Sequence, residues 1–463
     1  MSGKLQTGFF LCVLIFPAAF SGVAADEMPI TPEVWTARAA VDYAIRNNPD
    51  SGIALHRLAA ARANSSQEKA AFYPQLDFSS RYSQTDNPMY SFGNILNQGA
   101  FNSAIDFNDP GRTDDLNTGV RLGYRLYNGG SDRAALEAAE AGEDAAGLTL
   151  GAVKNQLAFA AVRSFNQIAQ AEGIVAVHSA ALEEINALLA VAQARYREGV
   201  LLGADLLNLE VQQSGSEENL LVAKNRLAVA RKNFLNLLGL ADGEVVIDPA
   251  PDNNQEVPAT TSHAQRSEIG AGRAMIRTAE ARLRQARAGN APVIEGYAGY
   301  DYDQGWETDG SGHSWQAGIQ LRYNLFDGHR TSAAAAQATA MLAVAKARLR
   351  KTELAIGLEV KQAELALADA EARLRVTAKG VEQATESARI NRARFKEGEI
   401  LSSDLIAVEN RLTDAGLRRN VAEMARRIAV ADLRRALGLL QFDEAAASPA
   451  AGPLATPENP GSQ

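Results

Sequence analysis

Two periods of apolar residues alternate along the chain, and each occurs twice. From Thr36 to about Phe72 an alanine-rich stretch predicts one helix, which ends before Tyr73-Pro74 because proline turns the preceding residue out of the helical region. The step then becomes two. Leu76, Phe78 and Tyr82 alternate with Gln75, Asp77, Ser79 and Arg81, and Val120, Leu122, Tyr124 and Leu126 alternate with Arg121, Gly123 and Arg125. This predicts two strands of about nine to eleven residues, apolar on one side and polar on the other. Asp86 to Asn117 has no period and is rich in Asn, Gly, Asp and Phe, so it reads as a long loop.

From Ser131 to Glu198 there is no proline, and apolar residues return every seven positions at Ala161, Ile168, Val175, Leu182, Leu189 and Tyr196. A sustained seven-residue step predicts helices that supercoil against neighbours. At 1.5 Å per residue such an arm extends roughly 100 Å. A returning helix follows, with Leu206, Leu209, Leu220, Ala223, Leu227, Ala230, Phe234 and Leu237 on its apolar side.

The chain then repeats itself. Ile294, Ala298, Tyr300 and Tyr302 alternate with polar or small residues, as do Trp315, Ala317, Ile319, Leu321, Tyr323 and Leu325. Arg330 to Glu397 carries a second seam at Val360, Leu367, Leu374, Val381, Ala388 and Phe395. Gly398 and Asp404 lie 199 positions after Gly199 and Asp205, and Leu437-Gly438-Leu439 stands equally far from Leu238-Gly239-Leu240. A spacing held over so long a span is a tandem duplication. The copies differ in their returning helices, where Arg419 and Arg426 replace Leu220 and Leu227.

The expected organisation follows. Residues 26–240 form a first repeat, with a β-hairpin at 74–127, a helical hairpin at 131–240 and its tip near 199–205. Residues 241–263 form a proline- and acid-containing linker. Residues 264–442 form a second repeat, with a β-hairpin at 292–326, a helical hairpin at 330–440 and its tip near 398–404. The Pro/Ala/Gly/Ser composition of 443–463 predicts a disordered tail.

Composition narrows the setting. A net charge of −9 leaves no basic surplus for nucleic acid. Residues 1–25 have the form of an export signal, with Lys4, an apolar run from Phe9 to Phe16 and the small residues Val23-Ala24-Ala25. The one cysteine, Cys12, falls inside that leader and not just after its cleavage site, so no lipid anchor is indicated. A mature chain without thiols suits an oxidising compartment and excludes disulfides, thiolate metal sites and a cysteine nucleophile. His56, His178, His263, His313 and His329 are scattered without ligand spacing, and neither a G-x-S-x-G elbow nor a phosphate loop occurs. Neither catalytic residues, nor a metal, nor a cofactor is therefore expected.

Strands of this length and period fit either a soluble half-buried sheet or a membrane barrel. Two features favour the barrel. Tyr82, Tyr124, Tyr302, Trp315 and Tyr323 share the apolar side as an interfacial girdle does, and the helices are expected to spend their apolar stripes on each other. The predicted lipid-facing set is Leu76, Phe78, Tyr82, Val120, Leu122, Tyr124, Leu126, Trp315, Ile319, Leu321 and Tyr323. Four strands cannot close in lipid, so closure requires further copies of the chain.

Each tip has an aromatic residue three before a glycine and an aspartate six after it: Tyr196, Gly199, Asp205 and Phe395, Gly398, Asp404. Together with the leader, the duplicated strand-plus-helix hairpins and the Leu-Gly-Leu helix ends, this pattern resembles the TolC-like outer-membrane efflux proteins from about Thr36 to Phe442. The resemblance implies a homotrimer: a twelve-stranded outer-membrane barrel continued by a helical tunnel across the periplasm. It also implies a role as exit duct, docked on a periplasmic adaptor and an inner-membrane transporter of the RND, ABC or MFS type, for solutes or a secreted polypeptide. A periplasmic or surface coiled-coil adaptor or adhesin with a soluble sheet is the alternative.

Asp205 and Asp404 match the family's entrance acids, but both also suit the first turn of a helix, where an acid opposes the dipole by roughly 0.3–1 kcal/mol. Glu210 and Glu409 are second candidates, against a solvated helix face. Phe395 and Ile400 stand where the family uses a tyrosine and an arginine as a polar latch, which suggests an apolar plug instead. Gly199, Val200, Leu201, Leu202, Gly398, Glu399, Ile400 and Leu401 are the expected adaptor-facing tips, since exposed apolar clusters mark interaction sites.

Overall fold

Each repeat runs helix, strand, strand, long helix, returning helix. The structure, a computed structural model, describes residues 31–250, 256–260 and 262–442. The expected signal segment 1–25 and tail 443–463 lie outside the described residues. The elements below belong to one unit, which begins at Val34. The first repeat holds α1 (Ala37–Asn47), α2 (Pro49–Lys69), β1 (Gln75–Thr85), α3 (Pro88–Asn97), β2 (Thr113–Tyr127), α4 (Ser131–Arg197) and α5 (Gly203–Leu238). The second holds α6 (Ser267–Ala288), β3 (Val293–Gly305), β4 (Gly310–Arg322), α7 (Arg330–Glu397) and α8 (Ser402–Leu437).

Two expectations are corrected by the same dipeptide. The helix expected to run to Phe72 is broken at Asn48-Pro49: proline starts α2, and the Asn48 side chain accepts from the Asp50 amide at 2.7 Å. Within the expected loop, Asn87-Pro88 starts α3 in the same way, with Asn87 accepting from the Met89 amide at 3.1 Å. β1 has the expected length at 11 residues, whereas β2, β3 and β4, at 15, 13 and 13, are longer than expected. Part of the expected linker is tied down, because the Trp35 amide donates to Val246 and Trp35 accepts from Asp248, each at 2.8 Å.

The strands form one antiparallel sheet in the order β1-β2-β3-β4. Phe78, Val120, Tyr300 and Trp315 stand abreast, as do Leu76, Leu122, Ala298 and Ala317. Every predicted lipid-facing residue is exposed, from Tyr124 at 39% to Trp315 at 76%. Among the described residues neither outer edge is paired.

The long arms are single helices of 67 and 68 residues, each packed on its returning partner. Trp35 meets Tyr43 and Phe234 edge to face at 5.3 and 5.5 Å, and Phe165, Ile168, Leu235 and Leu238 complete this core. A second core holds Val360, Leu367, Val430, Leu433 and Leu437. The apolar stripes are not all spent between helices: Leu207, Val211 and Leu221 of α5 and Leu354, Leu358, Leu365 and Val376 of α7 remain exposed.

The Leu-Gly-Leu ends have a physical reason. Gly239 and Gly438 cap α5 and α8 at φ 81° and 78°, a left-handed geometry that disfavours a side chain. Each also lies against a helix end of its own repeat: a Cβ on Gly239 would stand 2.8 Å from the Asn47 carbonyl oxygen at the α1–α2 junction, and one on Gly438 2.9 Å from Cγ of Arg266, which precedes α6. Beside them, Asn48 donates to the Leu237 carbonyl at 2.7 Å, and Arg266, at the head of α6, donates to Ala436 at 3.3 Å. Leu237 and Ala436 are equivalent in the duplication, so one junction is built twice from different side chains.

Candidate functional site at the helical tips

Both hairpins turn on a left-handed glycine. Gly199 and Gly398 have φ of 74° and 82°, and the residue after each returns its amide to the helix it has left: Val200 to Arg195 and Glu399 to Arg394, each at 2.9 Å. α5 and α8 then start at extended Leu202 and Leu401 without a side-chain cap. Asp205 and Asp404 therefore occupy first turns, where they oppose the helix dipole but cap no amide.

The tips share one core. Ile185, Leu188, Leu189, Ala192 and Leu209 of the first repeat pack with Phe395 and Leu405 of the second, and Leu201 and Ile400 pack against this cluster. Phe395 is 1% exposed, so it fills the interior of the hairpin bundle. Of the residues expected to face an adaptor, Val200, Leu202 and Leu401 are exposed at 62%, 72% and 61%, whereas Leu201 and Ile400 turn inward. Glu399 is exposed beside Arg394, at 3.3 Å.

Polar contacts join the two hairpins. Arg392 of α7 donates to both oxygens of Glu409 at 2.6 Å and lies 3.1 Å from Glu184 of α4. The Glu409 hydrogen bonds hold the Arg392 guanidinium above its ordinary range, against the opposing effect of burial. Arg195 of α4 donates at 2.6 Å to the Phe395 carbonyl, which also accepts from the Gly398 amide at 3.0 Å, and the Arg195 guanidinium lies 5.8 Å from the Phe395 ring centre. Ser402 donates to Asp205 at 2.5 Å, and Gln212 meets Asn410 at 2.8 Å.

Glu409, a second candidate for the entrance, is 9% exposed and held in an ion pair, so the alternative of a solvated helix face does not apply to it. Glu210 is partly exposed and has no ion pair among the described residues. Asp404 is exposed and, among the described residues, its carboxylate has no hydrogen-bond or ion-pair partner. Ionic links are therefore present beside the apolar residues expected to form a plug. Periodicity did not single out Arg392 and Glu184. The available signal was a mismatch between repeats, since Gln193 and Gln383 stand at their equivalents.

A family model described as outer membrane efflux protein matches residues 40–240 and 260–439. No curated protein matches the chain. Among solved structures, the Campylobacter jejuni CmeC outer membrane channel superposes with a TM-score of 0.75 at 15% identity, covering 88% of this chain and 87% of that one. The outer membrane protein VceC of Vibrio cholerae gives 0.74 at 19% identity, covering 87% and 96%. The open state of the Neisseria gonorrhoeae MtrE outer membrane channel gives 0.71 at 18%, covering 87% and 89%.

Proposed function

The chain belongs to the outer membrane efflux protein family, and from that membership we propose a homotrimeric duct in which three copies pool their strands into one twelve-stranded barrel. The family is one of passive channels in the outer membrane that extend into the periplasm and work with a periplasmic adaptor and an inner-membrane transporter. The observation that carries the trimer is the sheet itself. It has four strands, an exposed apolar face and two unpaired edges among the described residues. Open edges are not tolerated in lipid, and three sheets give twelve strands with room for a channel. The exposed stripes on α5 and α7 offer the helices a similar use for further copies.

Asp205, Asp404 and Glu210 line the entrance and draw cations toward it. Val200, Leu202 and Leu401 meet the adaptor. The transporter below is of the RND, ABC or MFS type, and co-purification with representative adaptors distinguishes the three.

Detergent extraction followed by cross-linking tests the assembly. A heat-modifiable trimer is expected, and a monomer released by osmotic shock would overturn the reading. Asp205→Ala combined with Asp404→Ala should weaken block of single channels by multivalent cations; unchanged block removes both acids from the entrance.

A further inference from the structure

The two strand hairpins differ in what their far ends carry. β3 and β4 are joined by the short turn 306–309, whereas α3 and a Phe-containing segment fill residues 86–112 between β1 and β2. These ends lie opposite the strand ends that feed the long helices, and so mark the outer end of the barrel.

Strand register fixes the side on which α3 lies. Arg81, Asn117, Asp303 and Gly312 stand abreast, opposite in face to Phe78 and Trp315. This polar face also includes Thr113, Asp115, Gly305 and Gly310. Asn94 donates to Thr113 Oγ1 at 3.0 Å and Gln98 to Asp115 Oδ1 at 3.1 Å, while Ser91 donates to the Thr85 carbonyl at 3.0 Å. The glycines leave room for the helix end. A Cβ on Gly312 would stand 2.0 Å from the Asn97 carbonyl oxygen, on Gly310 2.6 Å from that of Gln98, and on Gly305 2.2 Å from Gln98 Oε1.

Ser91, Ile95 and Gln98, at 0%, 4% and 1% exposure, form the anchored side of α3. The other side presents Met89, Tyr90 and Leu96 at 82%, 67% and 51%. Phe92 gathers Phe101 and Phe107, with ring centres 5.9 and 4.5 Å away. In a membrane barrel the polar face of the sheet lines the lumen. These apolar side chains are thus turned away from lipid and from the sheet alike.

We propose that α3 and its aromatic segment fold inward as an apolar constriction at the outer end of the barrel, a selectivity element that favours aromatic and other apolar cargo. Narrow apolar passages resist wetting, so ions and small polar solutes are held back while a molecule that replaces water at the rings passes. The inference rests on the barrel reading above.

Planar-bilayer recordings on the full chain test it, using a bulky cationic methanethiosulfonate added at the outer side, with labelling checked by intact mass. Tyr90→Cys should lose roughly half its current or more on labelling, as should Gln316→Cys on the polar face, while Trp315→Cys on the apolar face keeps its current. Replacing residues 88–111 with a short Gly-Ser turn should raise conductance roughly twofold or more. If Gln316→Cys is blocked but Tyr90→Cys is not, or Tyr90→Cys resists labelling, the constriction is refuted and the duct stands. If neither position blocks, the barrel reading falls with it.

Discussion

In the second tip Phe395 is 1% exposed, whereas at the matching place in the first Tyr196 is 49% exposed. Arg392 is held between Glu184 and Glu409, while its equivalent, Gln193, leaves Glu210 without an arginine. Ser402 reaches Asp205, but Gly203, its counterpart, offers Asp404 no hydroxyl. The two copies do not pack here as symmetric equivalents: each supplies the other's surroundings, and the residues supplied differ. The second copy provides the ring at the centre, and the first provides two of the acids that hold its polar residues.

That asymmetry can be broken most sharply at its centre. Phe395→Ala should lower the local opening free energy of the tips by about 3–5 kcal/mol, and Tyr196→Ala by less than about 1 kcal/mol, read by native-state hydrogen exchange of tip amides. Equal effects would mean that the tips are interchangeable.

Next comes the ion pair. Arg392→Ala leaves Glu409 buried alone; since the arginine is itself 29% exposed, the expected loss is about 2–3 kcal/mol, below that of a fully buried pair. Gln193→Ala should change little, and Gln193→Arg should stabilise the first tip by up to about 1 kcal/mol by giving Glu210 a partner. Ser402→Ala should cost about 1 kcal/mol by leaving Asp205 without its donor, whereas Gly203→Ser should not strengthen the opposite corner unless it reaches Asp404.

The smallest effect lies at the junctions, where neutral Asn48 in one repeat matches charged Arg266 in the other. Burial pushes the carboxyls of Glu268 and Glu359 up, but the hydrogen bonds and charge of Arg266, joined at Glu359 by those of Arg435, outweigh it and hold both below the ordinary glutamate range. With folded values depressed, their contribution is complete above about pH 4.3 and fades as pH falls through the folded values. After solvent screening it amounts to no more than about 1 kcal/mol. Acid should therefore raise exchange at the second junction before the first, and Glu359→Gln should reduce the difference while Glu268 retains its share.

The duplication, the strand faces and the unbroken arms were legible because they rest on short-range periods. Val360, Leu367, Ala388 and Phe395 are all buried on the predicted seam. The breaks before Pro49 and Pro88 leave no mark on the periodicity; their signal is the Asn-Pro pair, which unites a capping side chain with a first-turn proline. What stayed hidden depends on partners far apart in the chain. Glu409 looks solvated on its own helix and is buried only because α4 brings Glu184 and α7 brings Arg392. Repeat logic also misled, since it treated Glu210 and Glu409 as one position.

Neither long arm contains a proline, and each runs as one continuous helix through its interior glycines, Gly142, Gly147, Gly151 and Gly173 in α4 and Gly357 and Gly380 in α7. Over about 100 Å, a tilt of only about 3° at the strand end moves the opposite end by roughly 5 Å. Each arm is thus a lever, and small adjustments at the membrane become displacements as wide as a side chain at the periplasmic mouth.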